Sequence, residues 1–263
     1  MDVILIYLLA GAFAGLIAGL FGVGGGLIIV PVLVFLFTRQ GFDQDYLVHL
    51  AVGTSLATIV FTSISSVYAH HRRGAVVWSV FWQLTPGIVV GALIGAVVAD
   101  WMPSIVLRRF FAVFEWLVAI QLLLNTQSKP SRRVPGRAGL FGTGGLIGVV
   151  SSIVGIGGGT MTVPFLVWCN VAMQKAVATS SACGLPIAIA GAIGFVFLGW
   201  ESTGDMKWAL GYLYLPAMLG IVAASVIFAP LGARLAHHLP ADKLKRLFGI
   251  FLLLLGSYMF LSA

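Results

Sequence analysis

Two short runs carry the residue types best suited to chemistry in this chain. Gly22-Val-Gly-Gly-Gly26 and Gly155-Ile-Gly-Gly-Gly159 each place four glycines in five positions inside an otherwise apolar stretch. A glycine costs a helix about 1 kcal/mol relative to alanine, so both runs predict a helix break. Unwound backbone is tolerated at membrane depth only where protein or a watered cavity surrounds it. The helix that restarts beyond such a break presents unpaired N–H groups at its positive end, which attracts anions. Gly24, Gly25 and Gly26, with Gly157, Gly158 and Gly159, are therefore candidate substrate-binding positions, and Pro31 and Pro164 are candidate hinges. The alternative is that the glycines only let helices cross closely.

Hydroxyls accompany both runs. Thr54 and Ser55 follow the first, and Thr179, Ser180 and Ser181 follow the second, each set one or two turns inside the next apolar segment. They can donate to an oxyanion, although hydroxyls in apolar helices also bond their own backbone or a neighbouring helix. Thr160 and Thr162 stand where the first half has Leu27 and Ile29, so the second half is expected to be the more polar side of the site.

Glu115, between Phe114 and Trp116, is the only acidic residue well inside an apolar segment, and its counterpart in the second half is Leu252. An intramembrane carboxylate points to function by default. It is either a proton carrier or the ion-pair partner of Arg108 or Arg109. His70, His71, His237 and His238 fall at segment ends and read as interfacial side chains. Cys169 and Cys183 have no metal-site spacing and read as buried thiols.

No enzyme motif appears, neither His-Glu-x-x-His nor a pair of intramembrane acids nor a Cys-His set. The glycine runs are not nucleotide loops, because Leu27 and Thr160 occupy the place of the third glycine and no Gly-Lys-Ser/Thr follows. The expectation is a non-enzyme that uses no metal and no cofactor.

The elements that position these residues are membrane helices. The chain is 60% hydrophobic and 9% charged, too little polar surface to coat a soluble globule, so its solvent is the lipid bilayer. The fifteen Lys and Arg lie singly or in short clusters between apolar runs, a pattern of topology signals rather than of a nucleic-acid surface. The first apolar run, from Val3, is preceded by Asp2 rather than by a basic region, and is expected to stay in place as a span.

The chain is also duplicated. Beyond the glycine runs with their prolines, Ala51-Val-Gly-Thr-Ser55 matches Ala176-Val-Ala-Thr-Ser180, Pro86 is paired with Pro216, and Pro103, Arg109 and Phe111 match Pro240, Arg246 and Phe248. This predicts an all-α polytopic membrane protein of two homologous halves, residues 1–124 and 138–263, joined by a basic linker, residues 125–137. Each half is a glycine-broken helix or hairpin followed by three spans, at about 46–70, 76–100 and 104–124, then 174–200, 207–236 and 241–262. The glycine ladders Gly11-Gly15-Gly19 and Gly87-Gly91-Gly95 read as close helix packing, and Trp78, Trp101, Trp200 and Trp208 mark headgroup levels.

Positive charge discriminates between parallel and inverted halves. If each broken stretch crosses once, the linker side holds Arg72, Arg73, Lys129, Arg132, Arg133, Arg137 and Lys207, seven of fifteen. If each is a hairpin, that side gains Lys175, Arg234, Lys243, Lys245 and Arg246 and loses Lys207, giving eleven of fifteen. The positive-inside rule favours the second arrangement, with inverted repeats, a cytoplasmic linker and both termini periplasmic.

The glycine-proline motif, its repeat and the downstream Thr-Ser segments resemble those of the sulfite exporter TauE/SafE family of bacterial membrane transporters, over essentially the whole chain. The resemblance implies a permease, commonly an exporter, moving sulfite, an organosulfonate or a related sulfur anion across the inner membrane. From the residues themselves the expected partner is a small anion, with a proton or sodium ion as the coupling ion. An anion channel and a permease for a non-sulfur anion use the same donors and remain alternatives, and the oligomeric state is not legible.

Overall fold

In the computed structural model, the described residues are 2–21, 25–124, 134–204, 206–235 and 241–262, and they form ten α-helices. The first five are α1 (Asp2–Phe21), α2 (Gly26–Arg39), α3 (Leu47–Arg72), α4 (Trp78–Trp101) and α5 (Ser104–Leu123). The second five repeat the sequence of lengths: α6 (Arg137–Val154), α7 (Gly159–Trp168), α8 (Met173–Leu198), α9 (Leu215–Leu235) and α10 (Ala241–Leu261). Five of them, α3, α4, α6, α8 and α9, are long and apolar enough to cross a membrane. Most of linker 125–137, together with Gly24, His237 and His238, lies outside the described residues.

Each glycine run separates a longer helix from a short one. At 1.5 Å per residue, α2 with 14 residues and α7 with 10 reach about 21 and 15 Å, well under a 30 Å hydrocarbon layer. The first stretch turns back. Gln40 Nε2, just past the end of α2, donates to Tyr7 Oη near the start of α1 at 2.8 Å, so α2 returns to the side from which α1 enters.

The halves interlock through glycine. Gly11 and Gly15 of α1 lie against Ile221 and Ser225 of α9, and a Cβ on either would fall within 2.6 Å of the partner backbone. On the other side, Gly87, Gly91 and Gly95 of α4 meet Phe141, Gly145 and Val149 of α6 in the same parallel sense. Without a hydrophobic drive between helices in lipid, such close backbone contact is what holds them together. In contrast, α3 and α8 run antiparallel, with Gly53 near Phe195, Leu56 near Gly191 and Ser63 near Gly184; so do α5 and α10, with Ala119 near Gly249 and Ala112 near Gly256.

Two expectations need correcting. The span placed at 207–236 begins only at Leu215, because the preceding residues form turns with left-handed backbone at Trp208 (φ 69°) and Gly211 (φ 55°). A Cβ on Gly211 would lie 2.0 Å from the Val196 carbonyl oxygen, so this loop is packed into the bundle. The pairing of Pro86 with Pro216 is also out of register, since Pro86 lies eight residues into α4 and Pro216 one residue into α9. The helix starts themselves, following Val77 and Tyr214, are the equivalent points, as the threonines described below confirm.

Candidate functional site

The two breaks meet in the interior. Gly25 (φ 78°) opens α2 and Gly158 (φ 73°) opens α7, both in the left-handed region, and Gly155 (φ 74°) closes α6 in the same conformation. Residues with a Cβ pay about 1–2 kcal/mol there, which is why glycine holds these positions. A Cβ on Gly26 would lie 2.4 Å from the Gly155 carbonyl oxygen, so the breaks touch directly. Ser55 Oγ donates to that same Gly155 oxygen at 2.9 Å, tying α3 to the second break. Gly184, twelfth of the 26 residues of α8, lies against Gly157, which puts the crossing near the middle of the bundle.

Around the second break, hydrogen-bonding capacity is left unspent. Ser151 and Thr162 are fully buried and their hydroxyls have no partner. Both point to one place: a Cβ on Gly158 would sit 3.4 Å from Thr162 Oγ1 and 3.5 Å from Ser151 Oγ. Among the described residues, the backbone N–H groups of Gly157, Gly158, Gly159 and Thr160 also have no acceptor, hydrogen bonding resuming with Met161 and Thr162 to the Gly158 oxygen. The Thr160 and Ser180 hydroxyls are likewise buried and unpartnered. Buried polar groups are ordinarily paired, so such a concentration asks for an acceptor from outside. An oxyanion supplies acceptors alone, which suits a set made of donors.

The equivalent place in the first half is apolar. A Cβ on Gly25 would meet Ile29 Cδ1 at 3.4 Å and Ala18 Cβ at 3.5 Å, and these residues occupy the positions of Thr162 and Ser151. The polar bias expected of the second half is present at Thr160 and Thr162.

The downstream hydroxyls divide. Thr54 Oγ1 accepts the Tyr214 N–H at 3.0 Å and Thr179 Oγ1 accepts the Val77 N–H at 2.9 Å, so each secures the N-terminal end of the α9 or α4 helix. Ser181 donates to Val177 of its own helix at 3.0 Å, and Ser55 is committed to Gly155. Only Ser180 of this group keeps an unpaired hydroxyl. Ser151 was missed by the sequence reading. Its signal was a Ser-Ser pair inside an apolar helix directly before the glycines, where the first half has Ala18-Gly19. Its neighbour Ser152 faces elsewhere, toward Gly95 and Gly191.

Pro31 is buried inside α2 and Pro164 half-buried inside α7, each one turn beyond its break. Glu115 is fully buried on α5 and neither of its oxygens has a hydrogen-bond partner. The expected ion pair does not form: Arg108 donates to Ser262 Oγ, and Arg109 lies over the Phe260 ring, 5.9 Å from its centre.

Comparison with known proteins decides the family. The sequence profile of the sulfite exporter TauE/SafE family matches residues 7–259. The chain belongs to that family. A probable membrane transporter protein of Haemophilus influenzae is 38% identical over 98% of both chains. Probable membrane transporter proteins of Methanocaldococcus jannaschii and Bacillus subtilis, the latter named YunE, are each 28% identical, covering 97% and 95% of this chain and 94% and 95% of their own. No solved structure matches the chain. As a TauE/SafE member it is a multi-pass membrane transporter and not an enzyme, and the crossing of the two breaks is the part of this transporter fold with unspent binding capacity.

Proposed function

We propose that this protein is a secondary transporter, working as an exporter, of a small sulfur-containing anion such as sulfite or an organosulfonate. The observation that carries this reading is the cradle over Gly158, where two buried hydroxyls without partners converge beside four unspent N–H groups at the opening of α7. Gly157, Gly158, Gly159, Thr160, Thr162 and Ser180, with Ser151, hold the anion, and Gly25 and Gly26 complete the wall from the first half. Neutral donors and a helix end bind an oxyanion head group without a buried cation.

The halves are inverted-topology repeats, a reading supported by the return of α2 beside α1 and by the antiparallel α3–α8 and α5–α10 pairs. Such repeats let one half rock against the other around a fixed midplane site. The excess of positive charge on the linker side supports a cytoplasmic linker and periplasmic termini in a bacterial inner membrane.

The test is flux in proteoliposomes made with the full chain. Labelled sulfite and sulfoacetate should show saturable exchange that excess unlabelled substrate inhibits and that acetate does not. Flux that fails to saturate and shows no exchange identifies an anion channel. Equal exchange of acetate identifies a general small-anion permease.

A further inference from the structure

Glu115 is the one acidic side chain among the described buried residues, and the anion site does not use it. It lies on the inward stripe of α5 with Leu107, Phe111 and Val118, and it is fully buried without a partner for either oxygen. The helices packed against α5 are α3, α6 and α10. Their described titratable and charged side chains fall toward the helix ends: His49 and Tyr258 at one, and Tyr68, His70, His71, Arg72, Arg137 and Arg246 at the other. His49 is committed to the Ala99 and Met102 carbonyls, at 2.9 and 3.1 Å. On α5 itself, Arg108 is held by Ser262.

Depth links Glu115 to the site. The Val48 N–H donates to Ser104 Oγ at 3.3 Å, so α3 and α5 start at one level. Eleven residues on from each lie Ile59 and Glu115, about 16 Å deeper at 1.5 Å per residue. Ile59 stands midway between Ser55, which binds Gly155, and Ser63, which lies beside Gly157 and Gly184. The carboxyl is therefore level with the second break.

We propose that Glu115 is the proton-binding group that couples transport to a proton gradient, a proposal that rests on the reading of the chain as an anion carrier. Binding one proton turns the carboxylate into a neutral carboxylic acid and removes a charge that hydrocarbon tolerates poorly. Releasing it restores the charge, so one carboxyl loads and unloads one proton per cycle. A metal cation is the poorer occupant, because hard cations take several oxygen ligands and no group of three or more His, Cys, Asp or Glu side chains stands together among the described residues. Leu252, the counterpart, is buried and apolar, so the second half has no equivalent carboxyl at that position.

The experiment compares wild type with Glu115→Gln in proteoliposomes, using labelled sulfoacetate as the probe. The variant should exchange internal for external probe at the wild-type rate and lose accumulation driven by an imposed pH gradient. Gradient-driven accumulation at the wild-type level in Glu115→Gln overturns the proposal. Should Glu115→Gln not fold, Glu115→Asp takes its place, with a shifted pH profile of accumulation expected and an unshifted one against the proposal. If wild type itself fails to exchange sulfoacetate, the anion reading fails for that probe, and infrared titration of the purified protein judges the proton site alone. A titrating carboxyl band that Glu115→Gln removes supports it, and no such band refutes it.

Discussion

Gly25 and Gly158 open α2 and α7 in the same left-handed conformation, at equivalent places in two copies of one unit, yet their surroundings differ in kind. Over Gly25 lie a methyl of Ile29, the methyl of Ala18 and the Ala14 carbonyl oxygen; over Gly158 lie the δ-methyl of Ile187 and, farther out, the hydroxyls of Thr162 and Ser151. The backbone requirement was kept in both halves and the side-chain chemistry in one. Duplication thus supplies the paired breaks, and two small differences in a buried place leave unpartnered hydroxyls beside one of them. The hydroxyls that are paired, Thr54 and Thr179, serve a need both halves share, an acceptor for the N–H of the residue just before the α9 and α4 helices.

The strongest break of this comparison is Gly158→Leu. Its side chain would enter a left-handed position, meet Ile187 Cδ1 at 2.5 Å and fill the place the two hydroxyls face, so sulfoacetate binding by thermal shift should be lost. Ser151→Ala and Thr162→Val come next. Each removes one donor to an anion, a loss of about 1.5–3 kcal/mol, which is roughly tenfold or more in affinity. Because these buried hydroxyls have no hydrogen-bond partner among the described residues, both variants should also unfold at a slightly higher temperature than wild type.

Thr54→Val and Thr179→Val should behave in the opposite way. Each strands a backbone N–H, costing about 1–3 kcal/mol of stability, with affinity for sulfoacetate unchanged in detergent. Unequal losses from the two would show that the halves have diverged structurally as well as chemically. The smallest effect is expected from Gly25→Ala. A Cβ there makes only ordinary contacts, at 3.4 Å and beyond, so its cost is the left-handed backbone, about 1–2 kcal/mol in an unfolding measurement, with binding nearly intact. Loss of binding in Gly25→Ala equal to that of Gly158→Leu would make the cradles functional equals.

Much of the architecture was legible because it rests on local chemistry. Apolar runs of span length, glycine clusters that no helix interior accommodates cheaply and a repeat preserving both are all properties of contiguous residues. The start of α9 was misplaced for the same reason. Met206 to Leu213 mixes apolar side chains with Lys207 and runs straight into the α9 span, and left-handed turns packed on Gly53 and Val196 keep it out of the helix. At the site, the glycines and the threonines of α7 were legible, whereas Ser151 was not singled out and Thr54 and Thr179 were given to the substrate. A hydroxyl in an apolar helix looks the same whether it faces a ligand, a neighbouring N–H or its own carbonyl.

By itself, then, the sequence determined that this is a duplicated membrane protein with two helix breaks, since hydrophobic length and glycine's cost to a helix act within a segment. Only the tertiary structure decided that the breaks touch, that one cradle is polar, that the paired threonines are spent on helix ends and that Glu115 lacks its expected arginine. Those outcomes depend on which backbone approaches which side chain across α1 to α10, and hydrogen-bond partners over such distances are set by helix packing rather than by residue order.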